Sequence, residues 1–238
     1  MDTASAVIAA AFGMWVLEQW RPGQPQPDSR HWWSRLLLLN LVQLAVALLG
    51  ARTWDHALAG APKLLQVDYG LLPDALLGYL LITFVFYWWH RARHQSPWLW
   101  RTFHAVHHSA SRIEVLTSFY KHPLEILANG LLTSLLLVSV LGLQPASVAL
   151  ALTFAGLAEL FYHWNVRTPH WLGYLIQRPE SHRRHHQRDW HRDNYSDLPL
   201  WDWLFGTLDN PRESPRECGF ADDRERQLGR LLLWRTPR

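Results

Sequence analysis

The chain has 238 residues, enough for one domain with a substantial core. Its single cysteine, Cys218, excludes an intramolecular disulfide and any thiolate-built zinc or iron–sulfur site within the chain. A net charge of +3 is too small to argue for nucleic acid, and no dinucleotide glycine fingerprint or phosphate loop is present.

Five apolar runs organise the chain: residues 4–20, 35–51, 69–89, 126–143 and 145–163. A helix that crosses a bilayer needs roughly 20 apolar residues, within a range near 17–25. The first run ends in Glu18-Gln-Trp-Arg-Pro22 rather than a small-residue cleavage motif, so it reads as a retained anchor. Residues 21–28 form a Pro-rich loop. Trp20, Trp32, Trp33, Trp54, Trp88, Trp89 and Trp164 sit at run ends, where an interfacial belt is expected. The link between the fourth and fifth runs is short and uncharged, which leaves open whether these two cross fully or form a shallow hairpin. Residues 165–238 turn to Arg, Asp and Glu. Residues 209–217 are predicted to be an exposed loop near the end of the packed structure, with 209–238 as a tail.

The basic residues orient the runs. Segments 21–35, 90–122 and 165–238 hold three, five and thirteen of them, against two between the second and third runs. Short loops weigh most in the positive-inside rule, and here they place the N-terminus outside and residues 90–122 in the cytoplasm.

That side carries eight of the fourteen histidines in three clusters: His90 and His94; His104, His107 and His108; His182, His185 and His186. Neutral imidazole is the commonest metal ligand. Spacings of three and four put each cluster on one helix face. Three such faces exceed the four ligands of a structural zinc site and point to two metals. Ligand type alone admits iron, zinc, copper or nickel. Glu159 lies inside the fifth run, four residues before His163. With Glu125, Asp189, Asp193 and Asp202 it is a candidate to hold the far nitrogen of a ligating ring. His191 reads as a solvated loop residue, and His31 and His56 as non-ligands.

The motifs Tyr87-Trp-Trp-His90-Arg-Ala-Arg-His94, Leu99-Trp-Arg-Thr-Phe-His104-Ala-Val-His107-His108, His122-Pro-Leu-Glu125, His163-Trp-Asn165, Pro179-Glu-Ser-His182-Arg-Arg-His185-His186, Asp193-Asn-Tyr195 and Trp201-Asp-Trp-Leu-Phe-Gly-Thr207 fall in one order. In that order the chain resembles the fatty acid hydroxylase / sterol desaturase superfamily over about residues 75–208. Ser196 stands where that pattern often has Gly. The resemblance implies an all-α membrane bundle of four to five helices with a cytosolic, histidine-rich helical cap. It divides one domain, 1–238, into N-terminal membrane helices (1–68), a catalytic core (69–208) and the tail. It implies two iron ions, dioxygen as co-substrate and a bilayer lipid as substrate, hydroxylated, desaturated or cleaved at an ether. Its metal ligands map to His90, His94, His104, His107, His108, His182, His185 and His186, with His163 and His122 as further members. Electrons are expected from a separate ferredoxin-, cytochrome- or flavoprotein-type donor. The rival expectation is a non-enzymatic membrane metal-binding or transport protein.

Overall fold

The computed structural model describes residues 3–235, and among them every regular element is helical. The apolar runs become α1 (Thr3–Trp20), α2 (Trp32–Arg52), which turns into the short α3 (Trp54–Ala59), α4 (Leu71–Gln95), α7 (Pro123–Ser134) and α8 (Pro145–His163). Between α4 and α7 lie α5 (Pro97–Leu99), a π-helical turn Trp100–His104 and α6 (Ala105–His108). After α8 come α9 (Pro179–His185), α10 (Pro199–Leu204) and α11 (Leu228–Leu232). A proline opens α5, α7, α8, α9 and α10, where its missing N–H removes no helical bond.

Four stretches are long and apolar enough to cross a membrane: Trp32–Ala59, Leu71–Gln95, Pro123–Val140 and Pro145–His163. The fourth run therefore reaches crossing length by continuing α7 through a π turn, Leu135–Val140. The orphan carbonyls of that turn are met by a strap from the preceding loop. Leu64, Leu65 and Val67 donate their N–H groups to Ser139, Val140 and Leu141 at 2.8, 2.9 and 3.1 Å.

The bundle is sorted for lipid rather than water. Leu37, Leu38, Leu41, Leu44, Leu48 and Leu49 of α2 are all exposed, whereas Arg93, Glu125 and most of the histidines are buried. A run of exposed leucines this long suits hydrocarbon contact. Inside, α4 lies along α8 and α2 along α7. Gly78 lets α4 approach the continuation of α7 and the link to α8: a Cβ there would come within 2.9 Å of Leu137 and 3.0 Å of Leu143.

Two expectations are corrected. Of the belt tryptophans, Trp20, Trp33 and Trp88 are exposed, but Trp32 is buried and stacks on Tyr120 at 5.2 Å. Trp89 donates to Asn129 and Trp164 to the Met14 carbonyl. The indole N–H explains this, because once buried it needs an acceptor. The tail also does not leave the packed structure. Cys218, Leu228 and Leu231 share a core with Trp32, Leu36, Ala105 and Val106, and Glu225 pairs with Arg35 at 2.8 Å. Gly219, at φ 82°, lies so close to the Ser109 and Ala110 carbonyls that a Cβ would meet both at 3.0 Å.

Candidate metal centre

Four segments bring nine histidines together. The C-terminal end of α4 carries His90 and His94, and the π turn with α6 carries His104, His107 and His108. The last residue of α8 is His163, and α9 with its C-cap carries His182, His185 and His186. π turns recur at functional sites because they re-aim the residues that follow.

The nine fall into two sets. His90, His94, His104, His108 and His185 converge in one, and His107, His163, His182 and His186 in the other; within each set one nitrogen of every ring lies within 4.8 Å of those of the others. Each His-x-x-His-His motif is split between them. Its first and last residues, four apart, share a face and a set, and the middle one goes to the neighbouring set. Helix geometry explains the split, since residues at i+3 and i+4 are about 100° apart. The sets adjoin: the His108 and His186 rings stack at 4.1 Å.

Backbone carbonyls fix the tautomers. Nδ1 of His90, His94, His107, His163 and His185 faces the carbonyls of Tyr195 (2.8 Å), His191 (2.8 Å), Tyr120 (3.2 Å), Glu159 (2.9 Å) and Asp193 (2.6 Å). A carbonyl only accepts, so Nδ1 carries the hydrogen. Burial pushes His185 down to about 3 and holds His104, His107, His108, His182 and His186 well below the ordinary histidine range. These rings are neutral.

Their Nε2 atoms are therefore bare lone pairs, and they meet. Nε2 of His90 and His185 are 3.0 Å apart, and those of His107 and His163 3.4 Å. Two lone pairs at that distance repel unless a cation lies between them. Nitrogens bound at roughly 2.1 Å to one metal, at angles near 90–109°, stand roughly 3.0–3.4 Å apart. The buried Nε2 of His94 has no hydrogen-bond partner either. Each donor set thus fits a metal ion.

One loop holds most of the five-histidine set. Residues 189–195 supply the His191, Asp193 and Tyr195 carbonyls and the His191 ring, whose Nδ1 meets that of His108 at 3.0 Å. To turn three carbonyls inward, the loop places Asp189, His191, Asp193 and Asn194 in the left-handed region, with φ between 41° and 64°. Asn194 is fully buried and clamps it. Its amide donates to the Ser181 and Asp209 carbonyls at 2.9 and 2.7 Å and accepts from the Asp209 N–H at 2.8 Å. Asp202 secures the next turn by accepting from the Tyr195 and Ser196 N–H groups.

Of the residues singled out in the sequence, His122 stays out of both sets. It caps α7 instead: Nδ1 accepts from the Leu124 N–H at 3.1 Å, and Nε2 faces the Leu232 carbonyl at 3.2 Å. His31 and His56 also lie outside the sets. His191 departs from its expected solvated position. It packs between Trp100 and Phe220, and burial lowers it to about 4. Among the carboxylates, Glu125 does hold one of the converging rings: His104 Nδ1 donates to it at 3.0 Å, beside Arg93. Glu159 serves His163 through its carbonyl, while its carboxylate pairs with Lys121. Asp193 likewise acts through its backbone, and Asp189 only through its turn.

A cavity of about 440 Å³ opens onto both sets. His90 and His104 of one and His107 and His182 of the other line its end, and its walls come from α2, α3, α4, α7 and α8. That size lies within the range of small-molecule sites.

Residues 75–207 match the family model described as fatty acid hydroxylase, a span that contains all nine histidines. The chain belongs to this family. The very-long-chain aldehyde decarbonylase GL1-5 of Oryza sativa subsp. indica is 29% identical to it over 214 residues, 85% of this chain and 33% of its own length. A cholesterol 25-hydroxylase-like protein of Danio rerio is 31% identical over 158 residues, 63% and 60% of the two chains. Methylsterol monooxygenase 2-2 of Arabidopsis thaliana is 32% identical over 137 residues, 56% and 51% of the two. The chain spans a third or less of the length of the long plant relatives it matches. No solved structure matches it.

Proposed function

We propose that the chain is a dioxygen-dependent membrane oxidase that hydroxylates or desaturates a lipid at a C–H bond, with residues 69–208 as its catalytic core. The observation that carries this reading is the meeting of two neutral, lone-pair-bearing histidine sets at the end of a largely apolar cavity inside a membrane bundle. His90, His94, His104, His108 and His185 hold one iron in this reading, and His107, His163, His182 and His186 the second. Iron bound there supplies the redox chemistry that activates dioxygen against an unactivated C–H bond.

The protein's own part is placement. The carbonyls of residues 189–195 fix the tautomers and aim the rings inward, while burial keeps the rings neutral. The Arg93–Glu125 and Lys121–Glu159 pairs flank the cavity beside the histidines and balance charge there. Val46, Ile82, Phe86, Ile126 and Leu152 give an acyl, sterol or alkyl chain an apolar path and exclude water. Reducing equivalents come from a separate ferredoxin-, cytochrome- or flavoprotein-type donor at the basic, cytoplasmic face. Transport is disfavoured because all nine converging histidines lie at one end of the bundle, with no ladder of ligands across it.

The test is metal analysis of the purified chain, then oxygen consumption with a reducing donor and a lipid extract. The expected products gain one oxygen or lose two hydrogens. His107→Ala should lose bound metal and turnover together; full turnover by that variant overturns the proposal.

A further inference from the structure

The cavity's walls mix apolar side chains with Gln43, Asn129 and Thr133, and its far end carries a carboxylate. Asp55 of α3 and Ser134, the last residue of α7, close it there, with the Ser134 hydroxyl donating to Asp55 Oδ1 at 2.5 Å. Ser134 stands nine residues beyond Glu125 on α7, so this pair lies roughly 13 Å from the histidine end at 1.5 Å per residue. The Trp54 indole lies against Gly50, whose Cβ would come within 2.2 Å of it, and passes beside Gly130; this stacking presents Asp55 to the lumen.

Beside the histidines Arg93 and Glu125 neutralise each other, as do Lys121 and Glu159, and Asp197, which also lines the cavity, bonds the Tyr162 hydroxyl and is raised by burial to about 7. Asp55 forms no ion pair among the described residues, and its one hydrogen bond there is the one it accepts from Ser134. A carboxylate can only accept. It welcomes a hydroxyl, which donates, and repels a second carboxylate in a medium of low dielectric.

We infer that Asp55 selects lipids that carry a hydroxyl, rather than a carboxylate, at the end remote from the reacting carbon. The inference rests on the oxidase reading for the meaning of "reacting", but the selectivity itself is a property of binding. The amphiphile lies with its hydroxyl on Asp55 and Ser134, its chain along Ile82, Phe86 and Ile126, and its far carbons at the histidines. A free fatty acid inserted the same way sets one carboxylate against another.

The experiment is competitive displacement of a labelled lipid from the metal-loaded full chain in nanodiscs, without reductant so that nothing turns over. The competitors are hexadecanol, methyl hexadecanoate and hexadecanoate. The wild type should prefer the alcohol to the acid by about tenfold or more, with the ester between them. In Asp55→Asn the gap between alcohol and acid should shrink to about threefold or less, because repulsion is gone while an acceptor for Ser134 remains. In Asp55→Leu the alcohol should fall to the level of the ester. Equal binding of acid and alcohol by the wild type, or a gap unchanged in Asp55→Asn, overturns the inference. Thermal midpoint and metal content of each variant report its folding. Oxidation without this selectivity sinks the inference alone; selective binding without oxidation sinks the oxidase reading alone.

Discussion

The five-histidine set and the four-histidine set are built from the same side chain but held in different ways. In the first, every ring has a partner on its far nitrogen: three backbone carbonyls, the Glu125 carboxylate and the His191 ring. In the second, only His107 and His163 are held, and the buried Nδ1 atoms of His182 and His186 have no partner. A ring fixed at both nitrogens is pre-aimed, whereas a ring fixed at one can tilt. In the oxidase reading the pair joins a stiff metal seat to a compliant one, and outer partners of this kind typically change metal affinity by 10–100-fold.

The largest effect that can test the contrast comes from the ligands themselves. His185→Ala should empty the stiff seat and abolish turnover, and His186→Ala the compliant one. Metal counting by mass spectrometry should show one ion lost in each variant, and equal loss of both ions from either would merge the seats into a single unit. Under a graded chelator the wild type should release the metal of the four-histidine set first.

Asn194→Ala strikes the support of one seat only. Removing a fully buried amide that satisfies three backbone groups should cost about 2–3 kcal/mol of stability. Metal affinity should fall by about 10–100-fold at the five-histidine set and stay near wild type at the other. Site-resolved Mössbauer spectra of the iron-loaded protein would show which set has changed.

Acid should act on both seats. The folded-state values of these histidines lie below the ordinary 6.5, with His185 near 3, so only the unfolded chain takes up protons between those limits. Stability of the metal-stripped protein should be full above pH 6.5 and decline steadily as pH falls toward 3. Denaturation midpoints in detergent at stepped pH provide the measurement, and a midpoint that rose on acidification would contradict neutral, buried rings.

The smallest expected change is Glu159→Gln. Its carboxylate touches Lys121, not His163, so stability should shift by no more than about 1 kcal/mol and metal affinity by less than about threefold. A large loss of metal would mean that the carboxylate, rather than the carbonyl, steers His163.

The sequence made the helices and most of the converging histidines legible for physical reasons. Apolar runs of crossing length have few other uses, and three His clusters at helical spacing converge naturally. His163 was visible through its motif. What stayed hidden was the backbone's share. The carbonyls of Tyr195, His191 and Asp193 carry no side-chain signature, and the left-handed turns that aim them use Asp, His and Asn where glycine would have been a signal. His122 misled because a ring that caps a helix and a ring that binds a metal look alike in one dimension. The tail misled because its contacts with α2 and α6 join residues about a hundred or more positions apart.

That tail also sets a schedule for the protein's making. The Gly219 N–H closes onto the His186 carbonyl at 3.1 Å, and Leu228 and Leu231 seal the core beneath Ala105 and Val106, which lie between His104 and His107. The last of the nine histidines leaves the ribosome only after the last apolar helix, and the floor beneath the second cluster follows some forty residues later. In the oxidase reading, loading of metal is therefore a maturation step at the close of synthesis. Nascent chains halted before residue 218 have all nine imidazoles but not the floor that holds three of them in place.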